Sequence, residues 1–428
     1  MNTLRASFKN AEIRRAILFT IAILLIFRIG NAIPVPFINT EAMKAYFDLY
    51  QNTAFGLLNT LSGGAFANAT IFALSVQPYI NASIIIQLLC IAIPILEKLS
   101  KQDGEAGKKK IENITKITAV AIGLLQAYGY YVLISRNGLL REDAVGVWWK
   151  AVIIILAFAL GSVAIMFMGK AIDKRGIGNG ISMILFAGIV SRLPNSIFAT
   201  VANVSVGILP WWIALLTYLG VIALVVLIVY VNYAERRIPV YYASKTVGRR
   251  SYAAKDTYIG MRVNMSGVMP IIFAQSLGAL PATIAMLTGH TDSWWAQTDT
   301  VLYAIIYAVL IILFAYFYAT IIFNPVEVAN NLKNNGGMIP GFRPGRPTGE
   351  LLESILNKIT LFGAVYLGII AVVPMLIEHF VPTVRLTGLS LGGTTVIIAV
   401  GVALDTIRDL QTKLQSRSYS GLFVKKTP

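Results

Sequence analysis

Residues 55–74 read FGLLNTLSGGAFANATIFAL, and this stretch decides what kind of molecule the chain makes. Phe55, Leu58, Leu61 and Ala65 recur at helical spacing, but Gly63 and Gly64 interrupt the pattern. A half-apolar piece of about ten to fourteen residues is too short to cross roughly 30 Å of hydrocarbon, so it reads as re-entrant or as an interfacial helix. Periodicity does not separate the two. Non-helical backbone at membrane depth survives only where protein or a water-filled cavity surrounds it. The re-entrant reading therefore implies a cavity inside a membrane protein.

The rest of the chain is consistent with that setting. Of 428 residues 56% are hydrophobic and 13% charged, against roughly 25% charged in a soluble domain. Apolar runs near the roughly 20 residues that span a bilayer recur at 17–32, 76–96, 114–135, 148–169, 180–192, 210–233, 267–288, 300–323, 359–378 and 389–405. Ten spans in one all-α polytopic unit are expected. The first follows Arg14 and Arg15 but lacks a small-residue cleavage site and runs into Pro34-Val35-Pro36, so it is expected to be an uncleaved span rather than a leader. Cys90 is the single cysteine, which excludes an internal disulfide, and CxxC, HExxH, GxSxG and Walker A spacings do not occur. No catalytic residue, metal site or cofactor is expected.

Charge sets the orientation, because short cytoplasmic loops hold an excess of Lys and Arg. The N-terminus, the loops near 97–116, 170–179, 234–266 and 323–358, and the tail from Arg408 hold most of the 36 basic residues. The other side holds Lys44, Arg136, Arg141, Lys150, Arg192 and Arg385, while Arg28 falls inside the first span. Both termini are expected in the cytoplasm. Two cytoplasmic loops are longer than neighbouring helices need, and long loops in compact proteins are usually functional or disordered. Loop 234–266 carries Arg236, Arg237, Arg249 and Arg250. Loop 323–358 carries Pro340-Gly341-Phe342-Arg343-Pro344-Gly345, whose stiff prolines and permissive glycines are suited to hold Arg343 out towards a partner.

Proline and glycine also punctuate the spans, at Pro78, at Gly176, Gly178 and Gly180, and at Pro270 and Pro281. Broken or short helices at corresponding places of two halves point to a transport path at their interface. Residues 1–205 would form one half, with spans one to five and a plug at 55–69. Residues 206–428 would form the other, inverted because five is odd. An ion-coupled solute transporter would fit the span count but needs ionisable groups at mid-membrane. Here Arg28 is the main exception, and Glu97, Glu378 and Asp405 sit at ends. An intramembrane enzyme would need paired catalytic residues at similar depth, and none stand out. Aliphatic side chains such as Val76, Ile80 and Ile84, or Ile181 and Leu185, could instead close a pore by excluding water.

These residues also carry a resemblance. Ser62-Gly63-Gly64-Ala65, Ile71-Phe72-Ala73-Leu74, Pro78-Tyr79-Ile80 and Ala82-Ser83-Ile84-Ile85-Ile86-Gln87-Leu88-Leu89 resemble the plug and second span of the SecY family, the channel-forming subunits of the Sec protein translocase. Gly176-Ile177-Gly178-Asn179-Gly180-Ile181-Ser182 resembles the start of its fifth span. The 263–274 stretch, Asn324-Pro325, Asn331-Leu332-Lys333, the Pro340 to Gly345 turn and Gly392-Gly393-Thr394 follow in order. The resemblance implies a clamshell of two inverted five-helix halves around an hourglass pore, with a lateral gate between spans two and seven. It implies a pore ring of Val76, Ile80, Ile181, Leu185, Ile272 and Ile398. The gate would use Asn81, Ile84 and Gln87 opposite Leu277 and Leu280, and the plug Phe55, Leu58, Leu61, Gly63, Gly64 and Phe66.

The activity so implied is passive conduction of unfolded secretory polypeptides and lateral release of transmembrane segments, in a bacterial-type plasma membrane. The implied partners are small SecE-like and SecG-like membrane subunits, the SecA ATPase, the ribosome, signal sequences, nascent chains and lipid. Two stretches depart from the family pattern. Residues 253–262 diverge, and Gln77 puts an amide beside the ring where the pattern is apolar.

Overall fold

A computed structural model describes residues 10–49, 54–101, 104–141, 146–242, 246–247, 250–251, 257–281, 284, 300–387 and 393–423. The first helix, α1 (Ala11–Gly30), starts where the Asn10 side chain accepts the Glu12 N–H. It is followed by α2 (Thr40–Leu49) and by α3 (Ala54–Leu61), the helical part of the quoted stretch. Turns then lead to α4 (Gln77–Ala92), whose Pro78 sits in the first turn, where its missing N–H costs nothing. This helix stops early because Ile93 precedes Pro94 and is driven into extended backbone, ψ 113°. A helix α5 (Pro94–Lys101) continues beyond the break. The expected second span therefore divides, and its helix of 16 residues is only about 24 Å long.

Next come α6 (Gly104–Arg136), α7 (Val147–Arg175), α8 (Gly180–Val190), α9 (Leu193–Ser205) and α10 (Trp211–Tyr233). Loop 234–266 contains strands β1 (Glu235–Tyr242), β2 (Thr246–Val247), β3 (Arg250–Ser251) and β4 (Thr257–Arg262). The chain closes with α11 (Met269–Gly278), α12 (Val301–Ile322), α13 (Pro325–Asn334), β5 (Gly337–Met338), α14 (Arg346–Phe380), a 3-10 turn at Pro382–Thr387, and α15 (Gly393–Phe423).

Among the described residues six helical stretches are long and apolar enough to cross a membrane: Ala106–Arg136, Trp148–Arg175, Gly180–Ser205, Trp211–Tyr233, Val301–Asn334 and Arg346–Phe380. The other expected spans are interrupted or carry charge. Among the described residues α4 runs 16 residues before the break at Ile93, and α11 runs 10 before a break after which helix resumes at Leu280, while α1 contains Arg14, Arg15 and Arg28 and α15 contains Asp405, Arg408 and Asp409. The molecule is thus a helical polytopic membrane fold, with two small sheets in its long loops, one of them the β2-β3 pair. Strand β1 pairs antiparallel with both β4 and β5, giving the order β4-β1-β5. Alternate side chains Ile238 and Val240 of β1, with Met261 of β4, are buried against Leu332, Leu352 and Leu356 of α13 and α14. The two long loops thereby form one packed unit.

A belt of exposed aliphatic and aromatic side chains surrounds the bundle, among them Leu215, Leu216, Leu219, Ile222 and Val226 along α10. An exposed apolar surface of this extent is a lipid-facing or partner-facing one. The main core lies where α1, α4, α8, α11, α12 and α15 converge, and includes Phe27, Ile84, Ile184, Ile271 and Phe314. That convergence positions the site.

Candidate functional site

Side chains from four helices meet in the middle of this core. Val76 immediately precedes α4, and with Ile80 of α4, Leu185 of α8, Ile272 of α11 and Ile398 of α15 it is buried in the same apolar cluster, against which Ile181 packs half-buried. All six aliphatic residues named for a ring fall in this one cluster, and Ile80, Ile181, Leu185 and Ile272 also line the cavities beside it. Ile80 and Ile272 line cavities on both sides of it. On the side of the α7–α8 turn lies a cavity of about 200 Å³ with polar walls from Tyr79, Ser83, Gln87, Lys170, Asp173, Asn179 and Ser182. On the other side, towards α3, the space is only about 10 Å³ and is lined by Leu61, Ser75, Gln77, Gln275 and Ser276 besides Ile80, Leu185 and Ile272. A larger cavity with polar walls and a much smaller one thus lie on either side of Ile80 and Ile272.

The polar chamber holds its charges in pairs. Lys170 Nζ is 3.4 Å from Glu112 and 3.8 Å from Asp173, and lies 5.4 Å from the centroid of the Tyr79 ring. Asp173 Oδ1 also accepts the Gly180 N–H at 2.7 Å, which fixes the start of α8. Across the same turn the Gly178 N–H donates to Asp409 Oδ2 of α15 at 2.9 Å, and Lys413 Nζ donates to the Gly176 carbonyl at 3.3 Å.

The plug stretch is deeply seated, more so than its short apolar face alone suggests. Leu58, Leu61, Ala65, Phe66 and Ala69 are buried. The Phe66 ring stacks on Tyr130, centroids 4.3 Å apart, and meets Phe47 edge-on at 5.1 Å, while the Tyr130 hydroxyl donates to the Phe66 carbonyl. Gly63 adopts φ +69° and touches Gly188 of α8 so closely that a Cβ on it would lie 2.9 Å from the Gly188 Cα. Gly64 is also left-handed, φ +90°. Polar groups tie the segment down: Asn31 Nδ2 donates to the Ser62 carbonyl at 3.2 Å, Arg28 Nη1 to Ser191 Oγ at 3.1 Å and the Gly63 carbonyl at 3.5 Å, and Arg192 Nη1 to Thr60 Oγ1 at 3.0 Å. Phe55 lies in α3, and its side chain is outside the described ones.

At the seam between α4 and the pair α11 and α12, Asn81 and Ile84 are buried. Gln87 accepts from the Tyr318 hydroxyl of α12 at 3.3 Å and donates to Ser83 Oγ at 3.1 Å. Leu277 packs half-buried against the core, while Leu280, beyond the end of α11, is 39% exposed. On the loop unit Arg236 and Arg237 are exposed on β1, and Arg237 Nε pairs with Glu235 at 2.6 Å beneath the Tyr258 ring. Arg250 lies in β3, and Arg249 is outside the described residues. Arg343 is exposed on a turn bent by left-handed Gly341 and Gly345, φ +82° and +107°, and clasped where Thr348 Oγ1 donates to the Arg343 carbonyl at 2.8 Å. Ser75, Gln275, Arg192 and the Lys170 network also belong to this centre, though the sequence alone does not single them out. The sign for Gln275 is an amide three residues after Ile272 within an apolar helix.

A helical membrane fold with an aliphatic neck between two cavities, one of them nearly filled, defines a protein of the channel or transporter class. Comparison with known proteins narrows the class. The SecY family model matches residues 70–407. The chain is 39% identical over 435 residues to the protein translocase subunit SecY of Streptomyces scabiei, covering 97% of this chain and 98% of the relative. A SecY structure in which the plug domain stabilises the closed translocation channel and maintains a membrane seal superposes with TM-score 0.67 at 17% identity, over 94% of this chain and 92% of that one. Sec61 in a canine ribosome–channel complex from the endoplasmic reticulum superposes with TM-score 0.62, also at 17% identity and with the same coverage. The chain belongs to the SecY family.

Proposed function

We propose that the chain is the passive protein-conducting subunit of a translocase, and not an enzyme. Unfolded secretory polypeptides cross through the aliphatic neck, and apolar segments leave sideways into lipid. The observation that carries this reading is the neck itself, where Ile80 and Ile272 separate a polar chamber of about 200 Å³ from the plug stretch. An aliphatic constriction of this kind closes by dewetting and, having no fixed polar ligand, conforms to any extended chain. The ion-coupled alternative gives way to the family assignment.

In this reading ten spans form two inverted halves, 1–205 and 206–428, with both termini in the cytoplasm of a bacterial-type plasma membrane. The wide chamber then faces the cytoplasm and the plug faces outward. The helices α4 and α11 form the lateral gate. Exposed Arg236, Arg237 and Arg343 form a docking face on the packed loop unit for the SecA ATPase or a ribosome, because guanidinium groups offer forked donors to carboxylates and phosphates. Small SecE-like and SecG-like subunits cover part of the apolar belt.

The test is reconstitution into vesicles with the small subunits, SecA and ATP. A precursor with an intact signal sequence is expected to become protease-protected, and one without it is not. Protection of neither, alongside solute uptake driven by an ion gradient, would overturn the reading.

A further inference from the structure

Two side chains that line the small cavity between neck and plug carry oxygens with no hydrogen-bond partner among the described residues, Ser75 Oγ and Gln275 Oε1. Both residues are buried, at 3% and 2% exposure. Buried polar atoms are nearly always paired, so two orphans on one cavity call for a shared explanation. Ser75 also holds φ +49°, a left-handed backbone that serine seldom adopts, and strain of this kind concentrates where function requires it. The turn it occupies ends the plug stretch, whereas Gln275 belongs to α11. Gln77 and Ser276 add polar groups from the same two walls, and Leu61, Ile80, Leu185 and Ile272 complete an apolar surround. The volume, about 10 Å³, matches the roughly 10–15 Å³ that one water needs, and a buried water needs two to four polar partners. It is too small for a hydrated ion or an organic ligand.

We propose that a single ordered water occupies this cavity and bridges Ser75 Oγ and Gln275 Oε1, joining the end of the plug stretch to α11 beneath the aliphatic neck. The water donates to the Gln275 carbonyl oxygen and exchanges its second bond with the Ser75 hydroxyl, which donates or accepts by rotation. This rests on the channel reading in one respect, that α4 and α11 are walls that part. Parting them breaks the bridge, and so does displacement of the plug. Each movement therefore lowers the resistance to the other, and the neck opens as one unit.

The variants Gln275→Met, Ser75→Ala and the double variant separate a bridged cavity from a dry one, in the full chain reconstituted with its small subunits. With a bridging water each single variant is expected to raise resting ion conductance about tenfold, the scale of one net hydrogen bond, and the double variant no further than either single. In a dry cavity Gln275→Met removes an unpaired oxygen at nearly constant volume, so conductance falls or stays level, which overturns the proposal. A density map of the closed complex at a resolution that shows ordered solvent is the second readout. A peak within hydrogen-bond distance of both oxygens is expected, and its absence beside well-defined side chains overturns the bridge. If the parent protein translocates no precursor, the channel reading fails while the map still decides the water. If it translocates normally and Gln275→Met seals it better, the bridge alone fails.

Discussion

Replacing Phe66 by alanine tests whether the plug stretch is held by its aromatic seat. Phe66 is 2% exposed, stacked on Tyr130 and edge-on to Phe47, within a buried cluster that also holds Met43, Ile134 and Phe158. Truncating a buried Phe to Ala costs about 3–5 kcal/mol, part of it in the aromatic pairs. The hydrogen bond from Tyr130 goes to the Phe66 carbonyl, and the anchors from Asn31, Arg28 and Arg192 go to neighbouring groups, so they survive the change. Taking the lower figure, about 3 kcal/mol, the seated state loses roughly a hundredfold in its equilibrium against the displaced one.

The assay is thiol labelling at Ala67→Cys, a buried neighbour in the same segment, with Cys90 replaced by serine. Where labelling follows transient opening, its rate tracks the open population. In the Phe66→Ala background the rate is expected to rise about a hundredfold, and in a Phe66→Leu background, which conserves most of the volume, by about tenfold or less. A rise under threefold for Phe66→Ala would refute the aromatic seat as the restraint on the plug.

Ile80→Asn and Ile398→Asn place an amide in the neck, and each is expected to raise resting ion leak and to admit precursors with defective signal sequences; a reconstituted conductance and translocation assay checks both. Gln87→Leu removes the bond from Tyr318 between α4 and α12, worth about 0.5–1.5 kcal/mol, and is expected to speed lateral release of a weakly apolar segment, as read by its integration into lipid. Arg343→Glu is expected to abolish SecA-driven translocation while thermal stability stays within about 0.5 kcal/mol, since its side chain is exposed and the turn is held by the backbone of Arg343 and by Thr348.

Apolar run length located the long spans, because a lipid-facing helix such as Trp211–Tyr233 is apolar along its whole length. Hydropathy reads poorly where a helix faces protein on one side. The polar, amphipathic α2 buries Met43 and Phe47 and was missed, as was α9, whose Asn195, Ser196 and Asn203 dilute its apolar character. The alternation in Glu235–Tyr242 is a weak strand signal, with Ile238 and Val240 inward and Arg237, Pro239 and Tyr241 outward, inside a stretch whose charge reads as loop. The residues of the neck were named through family resemblance, since helical aliphatic stripes are as common in ordinary packing. Contacts across sequence, such as Gly63 on Gly188 or Asp409 on the Gly178 amide, leave no local periodicity and became visible only in three dimensions.

The central claim is that a polypeptide passes through the aliphatic neck, and its most direct measurement is crosslinking of a trapped chain. A precursor stalled halfway by a folded C-terminal domain is probed with a photoreactive residue at Ile80, Leu185, Ile272 or Ile398 in turn, and with a control at Leu219, which is exposed on α10. Strong crosslinks to the stalled chain from the four neck positions, and none from Leu219, are the predicted result. Crosslinks from Leu219 with none from the neck would place the polypeptide elsewhere and contradict the account.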